Sequence, residues 1–164
     1  PDHIWGVLDD FDDLLFPNAT YHIGRTEWDY WWNPETVNRV DESRVETAVG
    51  AKTRFEALQD QIEFFDDGDE PIPGVLALMT PGHTPGSMCF RIQDRPIVFS
   101  GDTLFPGGPG ATQYEGGDFK EIINSIDRRL FTLSADTLVL PGHGNETTIG
   151  TERPHLDEWV ARGW

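Results

Sequence analysis

A single cysteine, Cys89, in 164 residues leaves no partner for an internal disulfide. It stands in the apolar run Met88-Cys89-Phe90, which reads as a buried structural thiol rather than a nucleophile. Basic residues are scarce too: 12 Lys and Arg face 29 Asp and Glu, for a net charge of −17. So acidic a surface repels phosphate backbones and anionic lipid, which argues against nucleic acid or membrane as a partner. No stretch approaches the ~20 apolar residues of a membrane helix. The first residues form no basic, apolar leader, so the expected compartment is the cytoplasm. No initiator Met precedes Pro1, and the chain is expected to be a processed or truncated form, or a portion of a longer one.

What is present is ordinary for a globular protein. Hydrophobic residues make up 37% and charged residues 25%, enough for one domain over residues 1–164 with a real core. Residues 3–15 place Ile4, Trp5, Leu8, Phe11, Leu14 and Leu15 at helical spacing, with aspartates opposite. A short strand is expected over 20–23 and a helix over 26–32 capped by Thr26. A longer helix should fill 43–61, with an acidic turn region over 66–74. From residue 75 the texture changes. Apolar runs at 75–79, 88–92, 96–100 and 137–140, bounded by Gly and Pro, read as strands. An amphipathic helix is expected over 119–131 on Ile122, Ile123, Ile126 and Leu130, and a last one from Arg153 or Pro154. Strands mixed with helices imply a layered α/β domain.

Three of these strands run into a glycine-containing loop that holds one potential metal ligand. They are Thr80-Pro81-Gly82-His83-Thr84-Pro85-Gly86, Gly101-Asp102-Thr103 and Pro141-Gly142-His143-Gly144. Glycine lets the backbone turn sharply where the side chain must enter a shared cleft. If the strands enter one sheet in the same sense, His83, Asp102 and His143 converge at one edge. Asp2-His3 offers a fourth contribution. Taken singly, each has an ordinary explanation: a surface or capping histidine, a turn aspartate, an acidic helix start. The joint pattern favours a metal site, because two of five histidines share a Pro-Gly-His setting after an apolar strand and a Gly-Asp falls between them. His22 and His155 lack that setting.

These segments resemble the metallo-β-lactamase superfamily: Asp2-His3-Ile4-Trp5-Gly6, Pro81 to Gly86, Ser100-Gly101-Asp102-Thr103-Leu104-Phe105 and Pro141-Gly142-His143-Gly144 follow its order over essentially the whole chain. The later part, including Thr147-Thr148-Ile149-Gly150-Thr151-Glu152-Arg153, looks like glyoxalase II-type thioesterases. Phe16-Pro17-Asn18-Ala19-Thr20 with Glu27-Trp28-Asp29-Tyr30-Trp31 looks more like the lactonase and organophosphate-hydrolase branch. The resemblance implies an αββα sandwich, of which this chain is the C-terminal portion, without the first strands and the His-x-His pair.

It also implies two divalent metal ions, zinc foremost, with iron or manganese as alternatives. Asp2, His3, Asp102 and His143 would hold one metal. His83 and the bridging Asp102 would contribute to the other. The implied reaction is hydrolysis of an ester, thioester or lactone by a metal-bound hydroxide, oriented by Asp2, with Asp2 and Asp102 as the catalytic carboxylates. Thr84 and Thr103 are candidates for orienting the ligands. Trp28, Phe105 and Tyr114 are candidates for binding a small-molecule substrate, with Tyr114 as a donor to the oxyanion; core or an oligomer interface is the equal alternative for the aromatics. A homodimer stays open. Arg25, Arg39, Arg44, Lys52 and Arg54 could form a local basic patch. The competing readings are a mononuclear-iron persulfide dioxygenase and a non-catalytic binding domain.

Overall fold

A computed structural model describes residues 2–114 and 116–163, except for the side chains of Asp2 and His3. The chain forms two compact units, Pro1–Phe65 and Asp66–Trp164.

In the first unit, β1 (Tyr21–Gly24) leads into helices α1 (Arg25–Trp32), α2 (Thr36–Arg39) and α3 (Val45–Leu58), and β2 (Ile62–Phe65) returns beside β1. The two strands are parallel, with Tyr21 opposite Ile62 and Gly24 opposite Phe65, so the helices form the crossover that parallel pairing requires. Trp28, Trp31, Ala48, Ala51 and Phe55 are buried between them. Trp28 stacks on Trp32 and Phe55 with ring centroids 4.8 and 4.7 Å away. The basic residues of this unit sit largely on aromatic faces. Arg25 covers Phe64, Arg44 covers Trp31, Lys52 covers Trp32 and Arg54 covers Trp5, each cation drawn to the negative face of the ring.

Two local expectations change here. The helix expected over residues 3–15 is a 3-10 turn, Asp2–Val7. The Asp9 carboxylate accepts from Phe11 N at 2.8 Å and Asp13 N at 3.0 Å, a local turn that competes with helix. The chain then doubles back, bridging Leu8 to Leu14, and leaves Phe11 exposed. Helix α1 begins one residue earlier than expected, capped by Gly24 and not by the Thr26 side chain.

The second unit is built on a five-stranded sheet. In chain order it comprises β3 (Val75–Met79), β4 (Met88–Ile92), β5 (Ile97–Gly101), the small hairpin β6 (Leu104–Phe105) and β7 (Gly108–Pro109), helix α4 (Phe119–Ser125), β8 (Leu138–Pro141), β9 (Thr147–Thr148), and helices α5 (Ile149–Glu152) and α6 (Leu156–Arg162). The sheet order is β3-β4-β5-β8-β9. Helix α4 continues through a π turn, Ile126–Leu130, closed by Phe131 N donating to Ile126 O. Ile122, Ile126 and Leu130 recur every four residues and are fully buried against Val98, Val139 and Leu78. Each such side chain contributes about 1.5–3 kcal/mol by leaving water. Asp118 caps α4 by accepting from Glu121 N at 2.9 Å. Thr148 caps α5 through Thr151 N, so the last helical segment starts earlier than Arg153. Pro154 falls within a 3-10 turn between α5 and α6. Among the described residues no helix is long and apolar enough to cross a membrane.

Candidate metal centre

Strand direction decides where the candidate ligands go. β3 is antiparallel to β4, and β4 to β5, so β3 and β5 run the same way; β8 is parallel to β5. All three therefore end at one edge of the sheet, and the loops beyond them carry His83, Asp102 and His143. The convergence that needed three strands in one sense is what the sheet provides.

Close backbone approach shapes each loop. Gly82 has φ of +131°, and a β-carbon there would sit 2.2 Å from the Ile122 backbone nitrogen. Only glycine permits α4 to seat directly against the His83 loop. Asp118 N donates to Gly82 O, and the Ser125 hydroxyl donates to Pro81 O at 2.7 Å, which fastens the loop further. A β-carbon on Gly142 would lie 2.6 Å from Asp102 Oδ1, and Gly142 N donates to Gly101 O. The His143 loop thus rests on the aspartate.

His83 Nδ1 lies 2.7 Å from Ala111 O. A carbonyl only accepts, so Nδ1 carries the proton and Nε2 presents a lone pair. That Nε2 is 3.6 Å from Asp102 Oδ2, while His143 Nε2 is 3.8 Å from Asp102 Oδ1. Both separations exceed the ~2.7–3.2 Å of a real hydrogen bond. They are near the about 3.4 Å expected between two ligands that each lie about 2.1 Å from one tetrahedral metal. The donor set fits divalent metals. Among the described residues no three or more His, Cys, Asp or Glu side chains close around a single point. Each imidazole instead faces its own oxygen of the Asp102 carboxylate.

A cavity of about 510 Å³ opens over these groups, walled by Phe105, Pro106, Pro109, Gln113 and Tyr114. Phe105 packs on His143 with ring centroids 4.7 Å apart, and Tyr114 meets the His83 ring edge-on at 6.4 Å. The buried carboxylate of Glu152 accepts from Gly107 N at 2.9 Å and from the Thr147 hydroxyl at 2.5 Å, holding the β6–β7 turn that forms one wall.

The other candidate residues divide as follows. The side chains of Asp2 and His3 lie outside the described residues. Trp28 belongs to the core of the first unit. Thr84 bonds the Ser87 hydroxyl at 2.8 Å inside its own loop. Thr103 is buried beneath Asp102 and faces the Thr80 hydroxyl at 3.3 Å. Cys89 is fully buried, and that burial pushes its thiol up to about 11, against the opposing pull of its Thr80 and Thr103 hydrogen bonds. The thiol stays protonated and packs as a structural residue. Sequence reading missed the Ala111 carbonyl, whose role is carried by the backbone and leaves no mark in residue type. It also missed Glu152, for which the signal was a lone Glu following an apolar Ile149.

The metallo-beta-lactamase superfamily model matches residues 1–143. A Mycobacterium tuberculosis protein of undescribed function is 36% identical over 163 residues, which cover 93% of this chain and 68% of that protein. The hydroxyacylglutathione hydrolase GloC of Haemophilus influenzae is 43% identical over 76 residues, 46% of this chain and 36% of the enzyme. Among solved structures, TTHA1623 in a di-iron-bound form is 38% identical with a TM-score of 0.53, covering 56% of this chain and 46% of that one. The chain thus spans about two thirds of the mycobacterial relative and less than half of the di-iron protein. Its fold and these matches agree: the chain belongs to the metallo-beta-lactamase superfamily, whose members are generally metal-dependent hydrolases.

Proposed function

We propose that this chain is part of a dinuclear hydrolase of ester, thioester or lactone bonds, with thioesters the first class to assay. The observation that carries the reading is Asp102, one carboxylate facing two imidazoles through separate oxygens at the floor of a largely apolar cavity. The 43% identity to a hydroxyacylglutathione hydrolase over 76 residues supports the thioester choice. His83 and Asp102 would hold one ion, and His143 and Asp102 the other. Zinc, iron and manganese all suit this donor set. Such ions, when bound, supply a water acidified toward neutral pKa and a Lewis acid for the carbonyl. The chain's own residues do the rest. Ala111 O fixes the His83 tautomer, and Phe105 limits the swing of His143. We assign Tyr114, whose ring meets His83 edge-on, as a donor to the oxygen that gains charge.

Metal content per chain, measured by elemental mass spectrometry on protein purified without chelator, tests this. We expect bound zinc, iron or manganese that falls in His143→Ala and is lost in Asp102→Ala, because Asp102 serves both positions, while far-UV circular dichroism stays unchanged. About two equivalents support the dinuclear hydrolase, and one iron supports the persulfide dioxygenase. An Asp102→Ala protein with full metal and full activity sinks the site.

A further inference from the structure

β3 and β5 deliver His83 and Asp102, yet they are not neighbours, because β4 lies between them. No direct backbone ladder joins the two loops. What crosses β4 at that edge is a buried run of side chains. Thr103 Oγ1 is 3.3 Å from Thr80 Oγ1, Thr80 Oγ1 is 3.2 Å from Cys89 Sγ, and Cys89 Sγ donates to Ser100 O. With Thr103 donating to Thr80, Thr80 has Cys89 and, at 3.5 Å, Ser87 O as acceptors, and Cys89 has Ser100 O, so every donor finds an acceptor. Ser100 Oγ then donates to Leu104 O at 2.8 Å, and Thr103 N to Ser100 O at 3.0 Å. All four residues are buried. Valine has the shape of threonine and would fill the same space without needing a partner. Polar groups concentrated directly below two ligand loops therefore call for a role other than filling.

We propose that Thr80 and Thr103 are positioning residues, whose hydroxyl tie across β4 sets the separation of His83 and Asp102. Thr80 stands three residues before His83, just beyond β3, and Thr103 immediately follows Asp102, so a shift in the tie moves both ligands with little slack. The inference rests on the metal reading of the site.

The test uses cobalt(II) as the probe on the full chain, reading affinity by chelator competition and ligand geometry by visible absorption. Thr80→Val, Thr103→Val and the double variant should weaken cobalt binding about 10- to 100-fold, the range for groups that orient ligands, and shift the absorption bands. The double variant removes both hydroxyls together and leaves neither orphaned, so its melting temperature should stay near that of the parent and separate positioning from folding. Thr103→Ser should keep the parent's affinity and spectrum. A folded double variant with the parent's affinity and spectrum overturns the tie. Should the valine pair not fold, Thr103→Ala against Thr103→Ser decides, since both lose the methyl and only one loses the hydroxyl; equal cobalt binding by the two overturns the tie. Cobalt failing to bind the parent chain overturns the metal reading, and the tie with it.

Discussion

At Cys89 two effects oppose each other, and burial wins. Loss of water disfavours the thiolate more than the Thr80 and Thr103 hydrogen bonds favour it, so the thiol rises from its ordinary 9.0 to about 11. The unfolded chain then gives up this proton first as pH increases. Stability from the neutral thiol is complete below about pH 9 and is lost as pH rises through about 11. Urea denaturation between pH 8 and 11 should show a falling midpoint in the parent and a shallower fall in Cys89→Ala. Equal slopes would assign the loss to other groups. Gly82 and Gly142 show a different constraint at the same scale. Each is fixed by the carbon it lacks, one by the backbone of Ile122 and the other by the carboxylate of Asp102.

At the scale of elements, the walls of the cavity depend on a contact far away in sequence. Glu152, at the end of α5, holds the Gly107 amide and the Thr147 hydroxyl. Glu152→Ala leaves both without that acceptor, and we expect a cost of about 1–3 kcal/mol. Hydrogen exchange should be faster at the Gly107 amide than in β3 or β4. Uniform acceleration would mean that Glu152 supports the whole unit rather than this wall.

Elements were readable where a single pattern dominated. The runs 75–79, 88–92, 96–100 and 137–140 became β3, β4, β5 and β8 within a residue at each end. Helix α3 followed from the 43–61 segment, with 3-10 turns at both ends. β2 was missed because Ile62–Phe65 follows the helical segment without a Gly or Pro to separate them. Residues 3–15 misled because apolar spacing carried no information about the Asp9 turn. The convergence of His83, Asp102 and His143 at one edge of the sheet could be read from their loops. The tie beneath them could not, because Cys89 and Ser100 lie on β4 and β5 and Thr80 just beyond β3, strands whose order in the sheet the sequence leaves open.

For the whole molecule the dominant quantity is its charge. With −17 against a sequence pI of about 4.4, like charges repel at neutral pH and oppose the folded state. The Debye length shortens from about 30 Å at 0.01 M salt to about 8 Å at 0.15 M. We therefore expect the melting temperature at pH 7 to rise by several degrees between 10 and 150 mM sodium chloride. A flat response in differential scanning calorimetry would mean that the acidic side chains are spread widely enough not to oppose folding.

One property of the central sheet reaches beyond chemistry. β3, β5 and β8 all finish at the ligand-bearing edge, so the turn joining β4 to β5, with Asp94 and Arg95 exposed, lies at the other end of the strands. The two rims therefore carry separate obligations. One must keep its atoms in place to fractions of an ångström; the other has only to reverse the chain. Lineages could lengthen, shorten or recolour that second rim freely, and a laboratory could splice an epitope or a fluorophore there, while the opposite rim keeps its geometry.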